Sequence, residues 1–239
     1  MNNISICTPI YNRNKCKELI INNLFNFEYD KNKLEFIILD DGTNPFIKNK
    51  IELNYFENRI YPIKFRYIYH NIKETIGKKR NKLVKLAKYN LVCMMDSDDF
   101  YTPYYLSHSL EVMIKGNYNI VGSNQMLFCY TTNNINDDWL FTGIQCDRKS
   151  LIHEASMMFN RKHFKAMGGF ATKENRGEGI KMVEGMTEKN VGLTDISKCM
   201  ICLVHPNNTI PKDIFRDKPK IDIQLPAEIK QLIIKSLYK

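Results

Sequence analysis

No stretch of this chain reaches the roughly 18 consecutive apolar residues that a membrane-spanning helix requires. Its first residues, Met1-Asn2-Asn3-Ile4-Ser5-Ile6-Cys7, also lack the basic start and long apolar centre of a secretory signal. A soluble, cytoplasmic protein is therefore expected. The cysteines number seven, an odd count that leaves no complete disulfide framework, and reduced thiols follow from the missing signal. Cys199-Met200-Ile201-Cys202 is a lone CxxC with no second pair to finish a zinc site, and it lies in the apolar run 196–204, so it reads as core strand. Zinc-finger spacing, an RNA-binding aromatic signature and heptads are all missing. The net charge of +9 and pI near 9.1 would suit an anionic partner, yet the lysines are scattered. Lysine, asparagine and isoleucine are abundant together, as AT-rich codons produce, and no nucleic-acid partner is expected.

What is present is enough for a sizeable core: 239 residues, 44% of them hydrophobic. Short apolar runs at 4–8, 34–39, 64–69 and 91–95 read as strands, while 14–27 and 76–89 carry apolar residues at helical spacing. Strands alternating with helices imply right-handed crossovers and a mostly parallel sheet covered on both faces. Ligands of such sheets sit beyond the carboxyl ends of the strands. The polar clusters at 8–13, 40–43 and 96–99 all fall at that edge. Asp96-Ser97-Asp98-Asp99, three carboxylates in four residues, is the densest. It is either a solvated turn capping the helix that starts near Thr102-Pro103, or a site for a hard divalent cation bridging to phosphate oxygens.

Thr8-Pro9-Ile10-Tyr11-Asn12-Arg13, Leu39-Asp40-Asp41-Gly42-Thr43, Gly77-Lys78-Lys79-Arg80-Asn81 and Asp96-Ser97-Asp98-Asp99 resemble, in order and spacing, the motifs of family 2 glycosyltransferases of the GT-A fold. Ser156-Met157-Met158-Phe159 and Gly168-Gly169-Phe170 extend the likeness over about the first 180 residues. The resemblance implies an inverting enzyme that moves a sugar from a UDP-sugar to an acceptor hydroxyl with Mn²⁺ or Mg²⁺. It implies one domain over residues 1–210, divided into a nucleotide-sugar half (1–101) and an acceptor half (102–210), followed by a connector and an amphipathic helix over 211–239.

The same resemblance distributes roles. Thr8, Pro9 and Tyr11 frame the base and ribose, Asp40 and Asp41 sit at the base, and Arg13 and Arg80 face the diphosphate. Asp96 and Ser97 approach the ribose, with Asp96 reaching the metal through water. Asp98 and Asp99 bind the metal, and His205 completes its shell. A type I turn is the alternative use for Asp41-Gly42-Thr43, and base recognition is the favoured one. Two departures stand out: Lys79 replaces a usual alanine, and Gly179 replaces the second acid of a pair that supplies the general base. Glu178 is then the expected base, because Glu184 lies about 120° away around a helix.

Other segments stay open. Asp137, Asp138 and Trp139 lie in a loop over 131–150 that could contact an acceptor, although a core role for Trp139 is as good. His153 is a weaker candidate for the donor sugar or acceptor, 171–177 could form a lid, and Asn207-Asn208-Thr209 matches a glycosylation pattern. The helix over 226–237 could dock on the domain, pair with a subunit or rest on a membrane surface. Competing functions are a catalytically idle nucleotide-sugar binder and a nucleotidyltransferase of similar fold.

Overall fold

The computed structural model of the chain describes residues 2–146, 151–173, 176–208 and 210–239. In chain order the strands and helices are β1 (Ile4–Ile10), α1 (Lys17–Asn26), β2 (Leu34–Asp40), α2 (Lys50–Ile60), β3 (Lys64–Tyr69), α3 (Ile76–Leu86), β4 (Leu91–Met94), β5 (Phe100–Tyr101) and α4 (Tyr105–Lys115). They continue with β6 (Ile120–Gly122), β7 (Gln125–Tyr130), β8 (Leu140–Gln145), β9 (Met158–Asn160), α5 (Arg161–Met167), β10 (Gly192–Leu193), β11 (Met200–Val204) and α6 (Ala227–Leu237).

Seven strands form one sheet in the order β10-β6-β9-β4-β1-β2-β3. Its pairs are parallel except where β9 runs against β4 and β6. The expected mostly parallel α/β sheet is thus present. A smaller sheet, β5-β11-β7-β8, stands beside it. The central strands are buried on both faces, as runs such as Leu34-Glu35-Phe36-Ile37-Ile38-Leu39 require, with the one carboxylate, Glu35, buried against the Ser5 hydroxyl at 2.7 Å. Leu34, Phe36 and Ile38 enter one core cluster while Ile37 and Leu39 enter the other, following the two-residue period of a strand. Each such burial stabilises by about 1.5–3 kcal/mol.

Several expectations are refined. Residues 14–16 form a separate 3₁₀ turn before α1, and α3 stops at Leu86 because Ala87 turns to extended backbone. Helix α2, which the apolar spacing leaves unassigned, is capped by Asn49, whose side chain accepts from the Glu52 N–H at 3.0 Å. Cys199 and Cys202 are buried free thiols, as expected for core strand. Trp139 is buried in the core, so it offers no face to a sugar. Helix α6 docks: Ile233, Ile234 and Leu237 are buried, and the Cys16 thiol reaches the Ser236 carbonyl. Among the described residues no helix is long and apolar enough to cross a membrane. The expectations for 147–150 of the long loop, for the centre of the 171–177 lid and for Thr209 lie outside the described residues.

Candidate active site

At the end of β2 both oxygens of each of the two carboxylates accept from the protein. Asp40 Oδ1 accepts from the Gly42 N–H at 2.9 Å, and Oδ2 accepts from the Phe46 N–H and the Tyr67 hydroxyl, both at 2.7 Å. Asp40 therefore shapes the loop after β2, which is why it lies inside and does not face the base as the resemblance implied. Burial and the Asp40 carboxylate together raise the Tyr67 hydroxyl above the ordinary phenol range. Asp41 accepts from the Glu74 N–H at 2.7 Å and from Lys79 Nζ at 2.6 Å, and Lys79 also donates to the Ile10 carbonyl at 2.9 Å. The lysine found where a small residue is usual is thus the buried counterion of Asp41. Burial lowers the Lys79 pKa, and the Asp41 and Asp40 carboxylates oppose that. Of the four or so lone-pair directions on a carboxylate, these bonds use two, which leaves Asp41 room for a further donor.

Beside this pair lies the half-buried Tyr11 ring, with the Lys73 ammonium 4.2 Å from its centroid. Thr8 and Pro9 are strand residues; Thr8 is fully buried, and its hydroxyl has no partner among the described residues. Burial in β1 keeps Thr8 away from the crevice, whereas Tyr11 and Arg13 lie past the strand's end.

The end of β4 is built differently. The Asp96 N–H donates to the Tyr101 hydroxyl at 2.8 Å, and its Oδ1 accepts from Arg80 Nη2 at 3.0 Å. Ser97 is buried at the turn. Asp98 Oδ2 accepts from Arg13 Nε at 3.0 Å and lies 3.3 Å from His205 Nε2, joining residues 107 positions apart. Burial alone would raise the Asp98 pKa; the His205 hydrogen bond and the Arg13 charge outweigh it and hold it at about 2. Asp99, expected with Asp98 at a metal, instead turns inward: its Oδ1 accepts from the Leu203 N–H of β11 at 3.0 Å. Burial first, then repulsion from Asp98 and Asp96, raises the Asp99 pKa. The unpaired Leu203 N–H needs an acceptor, and Asp99 is the group that supplies it.

A third cluster closes the crevice. Buried Arg80 donates from Nε to Glu178 Oε1 at 2.8 Å as well as to Asp96. Burial works against its charge, but Asp96 and Glu178 keep the guanidinium firmly protonated. Its Nη1 has no partner among the described residues. Asn81 fixes Phe170 by donating to its carbonyl at 2.9 Å and accepting its N–H at 2.8 Å. Gly77 permits this approach, since a Cβ there would lie 1.7 Å from the Ala171 carbonyl oxygen. Glu184 is exposed at the end of the 3₁₀ turn Ile180–Val183, away from this cluster. Glu154 and His153, which precede β9, reach the same crevice; only His153 was flagged by sequence. Burial lowers the His153 pKa to about 4 against the pull of Asp96.

Among the described residues no three His, Cys, Asp or Glu side chains are grouped to hold a metal by themselves. Asp98 and His205 nonetheless converge, and Arg13 supplies a positive charge on the very oxygen a cation would take. A cation that keeps waters and binds through one or two protein ligands plus phosphates fits this donor set.

A sequence model of Glycosyl transferase family 2 matches residues 5–176. No curated protein matches the chain. Among solved structures, S. aureus TarS 1-349 superposes with a TM-score of 0.63 at 14% identity, over 84% of this chain and 60% of that one. The same TarS fragment in complex with UDP gives 0.61 at 16% identity, over 85% and 61%. The mannosyltransferase PcManGT from Pyrobaculum calidifontis, in complex with GDP-Man and Mn²⁺, gives 0.61 at 14% identity, over 99% and 69%. The chain spans about 60% of the TarS fragment's length. These likenesses establish the GT-A fold.

Proposed function

The chain belongs to glycosyl transferase family 2, and on that premise we propose that it moves a sugar from a UDP-sugar to an acceptor hydroxyl, inverting the anomeric carbon, with Mn²⁺ or Mg²⁺ as cofactor. The observation that carries this reading is the meeting of Asp98 with His205 and Arg13 at the end of β4, where the sheet opens. Asp98 and His205 would hold the cation. When bound, it supplies Lewis-acid neutralisation of the charge that grows on the departing diphosphate.

The remaining work falls to the chain's own groups. Arg13 and the free Nη1 of Arg80 offer donors suited to phosphate oxygens. Tyr11 offers a ring to the base, and Asp41, paired with Lys79, offers an acceptor to an imide N–H. Asp96 is open on the ribose side, with about 29% of its side chain exposed. Glu178 holds Arg80 in place. Inversion additionally needs a base on the acceptor side, a contribution of roughly 10²–10⁴-fold.

A thermal-shift series with UDP, GDP, UDP-N-acetylglucosamine and GDP-mannose, with and without Mn²⁺, tests the donor site. A ligand bound only by the folded state raises stability as RT ln(1 + [L]/Kd). UDP with Mn²⁺ should give the largest shift, and Asp98→Ala should erase its metal-dependent part. No shift with any nucleotide would refute the reading, and release of pyrophosphate in place of UDP would assign a nucleotidyltransferase.

A further inference from the structure

Gly179 has φ −77° and ψ −15°, ordinary right-handed backbone that any residue adopts. Glycine is therefore not there for its conformational freedom. It is there for room: a Cβ at 179 would lie 2.4 Å from Glu154 Cγ, 3.1 Å from Glu154 Cδ and 2.7 Å from Met157 Cε. The volume next to Glu178 that a side chain at 179 would fill is already filled by the side chain of Glu154. The Gly179 N–H donates to Glu154 Oε1 at 3.1 Å, and Oε2 accepts no hydrogen bond among the described residues.

The turn that carries this acid, Glu154–Ser156, is fastened to the end of β4. The Tyr101 hydroxyl donates to the Ala155 carbonyl at 3.1 Å and accepts the Asp96 N–H, while the Tyr105 hydroxyl, which donates to the Met94 carbonyl at 2.7 Å, stands 3.1 Å from the same Ala155 oxygen. Glu154 lies close enough to Arg80 for its charge to stabilise the guanidinium. Glu178, by contrast, is 5% exposed with its carboxylate bound to Arg80. A base must reach a substrate proton, and a buried carboxylate committed to a guanidinium is poorly placed for that.

Resting on the transfer reaction proposed above, we propose that Glu154, not Glu178, is the catalytic base, an acid supplied from a different segment where position 179 has lost one. Its carboxylate takes the proton of the acceptor hydroxyl as that oxygen bonds to the anomeric carbon. The bond from that carbon to the diphosphate oxygen breaks, its electron pair leaving with the nucleoside diphosphate. Glu154 then returns the proton to solvent.

The test measures release of nucleoside diphosphate from UDP-N-acetylglucosamine, UDP-glucose and GDP-mannose with water as acceptor, alongside the UDP–Mn²⁺ thermal shift. Glu154→Gln should lower release at least 100-fold and keep the thermal shift. Glu154→Ala with Gly179→Asp, which vacates the space and refills it from the other chain segment, should recover at least tenfold over Glu154→Ala alone. Release within threefold of the parent in Glu154→Gln, loss of its thermal shift, or no recovery in the double variant overturns the assignment. A parent that gives no UDP–Mn²⁺ shift fails on the donor reading instead. A parent that shows the shift but releases no nucleoside diphosphate refutes transfer, and this base with it.

Discussion

The two acidic clusters at the sheet's open edge are held in opposite ways. Asp40 and Asp41 after β2 are 0–1% exposed, and both oxygens of each accept from the protein itself. Asp96 and Asp98 after β4 remain 29% and 17% exposed, and among the described residues their side chains meet cationic or imidazole groups. Carboxylates fixed by backbone N–H groups and a buried ammonium are held rigidly in the frame, even where, as at Asp41, an acceptor direction is left over. Carboxylates that are partly open and matched to side-chain partners can share those partners with, or yield them to, a ligand's cation. One motif type, Asp-Asp or Asp-x-Asp at a strand end, thus serves two purposes depending on what closes over it.

That contrast can be broken from the framework side first. Asp40→Ala strands two backbone N–H groups and a buried hydroxyl, so a loss of about 3–6 kcal/mol is expected in urea denaturation. A change below about 1 kcal/mol would show that the loop is held by something else. Lys79→Met should cost about 3–5 kcal/mol by leaving the Asp41 charge buried alone, and adding Asp41→Asn should restore most of it, since replacing a whole buried pair is often neutral. Failure of that rescue in the same denaturation series would argue against the pair as framework.

His153 predicts a smaller, pH-dependent effect. Its folded pKa of about 4 lies below the unfolded value near 6.5, so the unfolded chain binds a proton that the folded chain refuses between those values. Stability should therefore fall as pH drops from about 6.5 to 4, by at most about 3 kcal/mol, and His153→Asn should flatten that slope in denaturation midpoints. Least of all, Asp98→Asn should cost about 1–2 kcal/mol, because the pairing with Arg13 and His205 that depresses its pKa is lost from a partly exposed position, while weakening Mn²⁺-dependent UDP binding at least tenfold. Equal stability losses for Asp98→Asn and Asp40→Ala would erase the distinction between the clusters.

The framework was the more legible part. Strand 34–39 announces itself by apolar character broken only by Glu35, and 64–69 by Lys64 and Arg66 alternating with Phe65 and Tyr67; parallel order follows from their alternation with helices. Helix α2 escaped because only Phe56 and Ile60 of its eleven residues are buried, although Asn49 followed three positions on by Glu52 was a usable start signal. The site was legible as a set of motifs, but pairwise commitments were not. Nothing local says that Lys79 neutralises Asp41 38 residues away, that Asp99 serves Leu203, or that Glu154 fills the space over Gly179. Those are consequences of packing between distant segments, which sequence spacing does not record.

The central claim is that the open cluster grips a cation which in turn grips diphosphate oxygens. Calorimetric titration of UDP into the protein with and without Mn²⁺, repeated on Asp98→Ala, tests it most directly. The account predicts affinity at least tenfold tighter with Mn²⁺ in the parent and no metal dependence in the variant. UDP affinity indifferent to Mn²⁺ in the parent, or equally enhanced by it after Asp98 is removed, would contradict it.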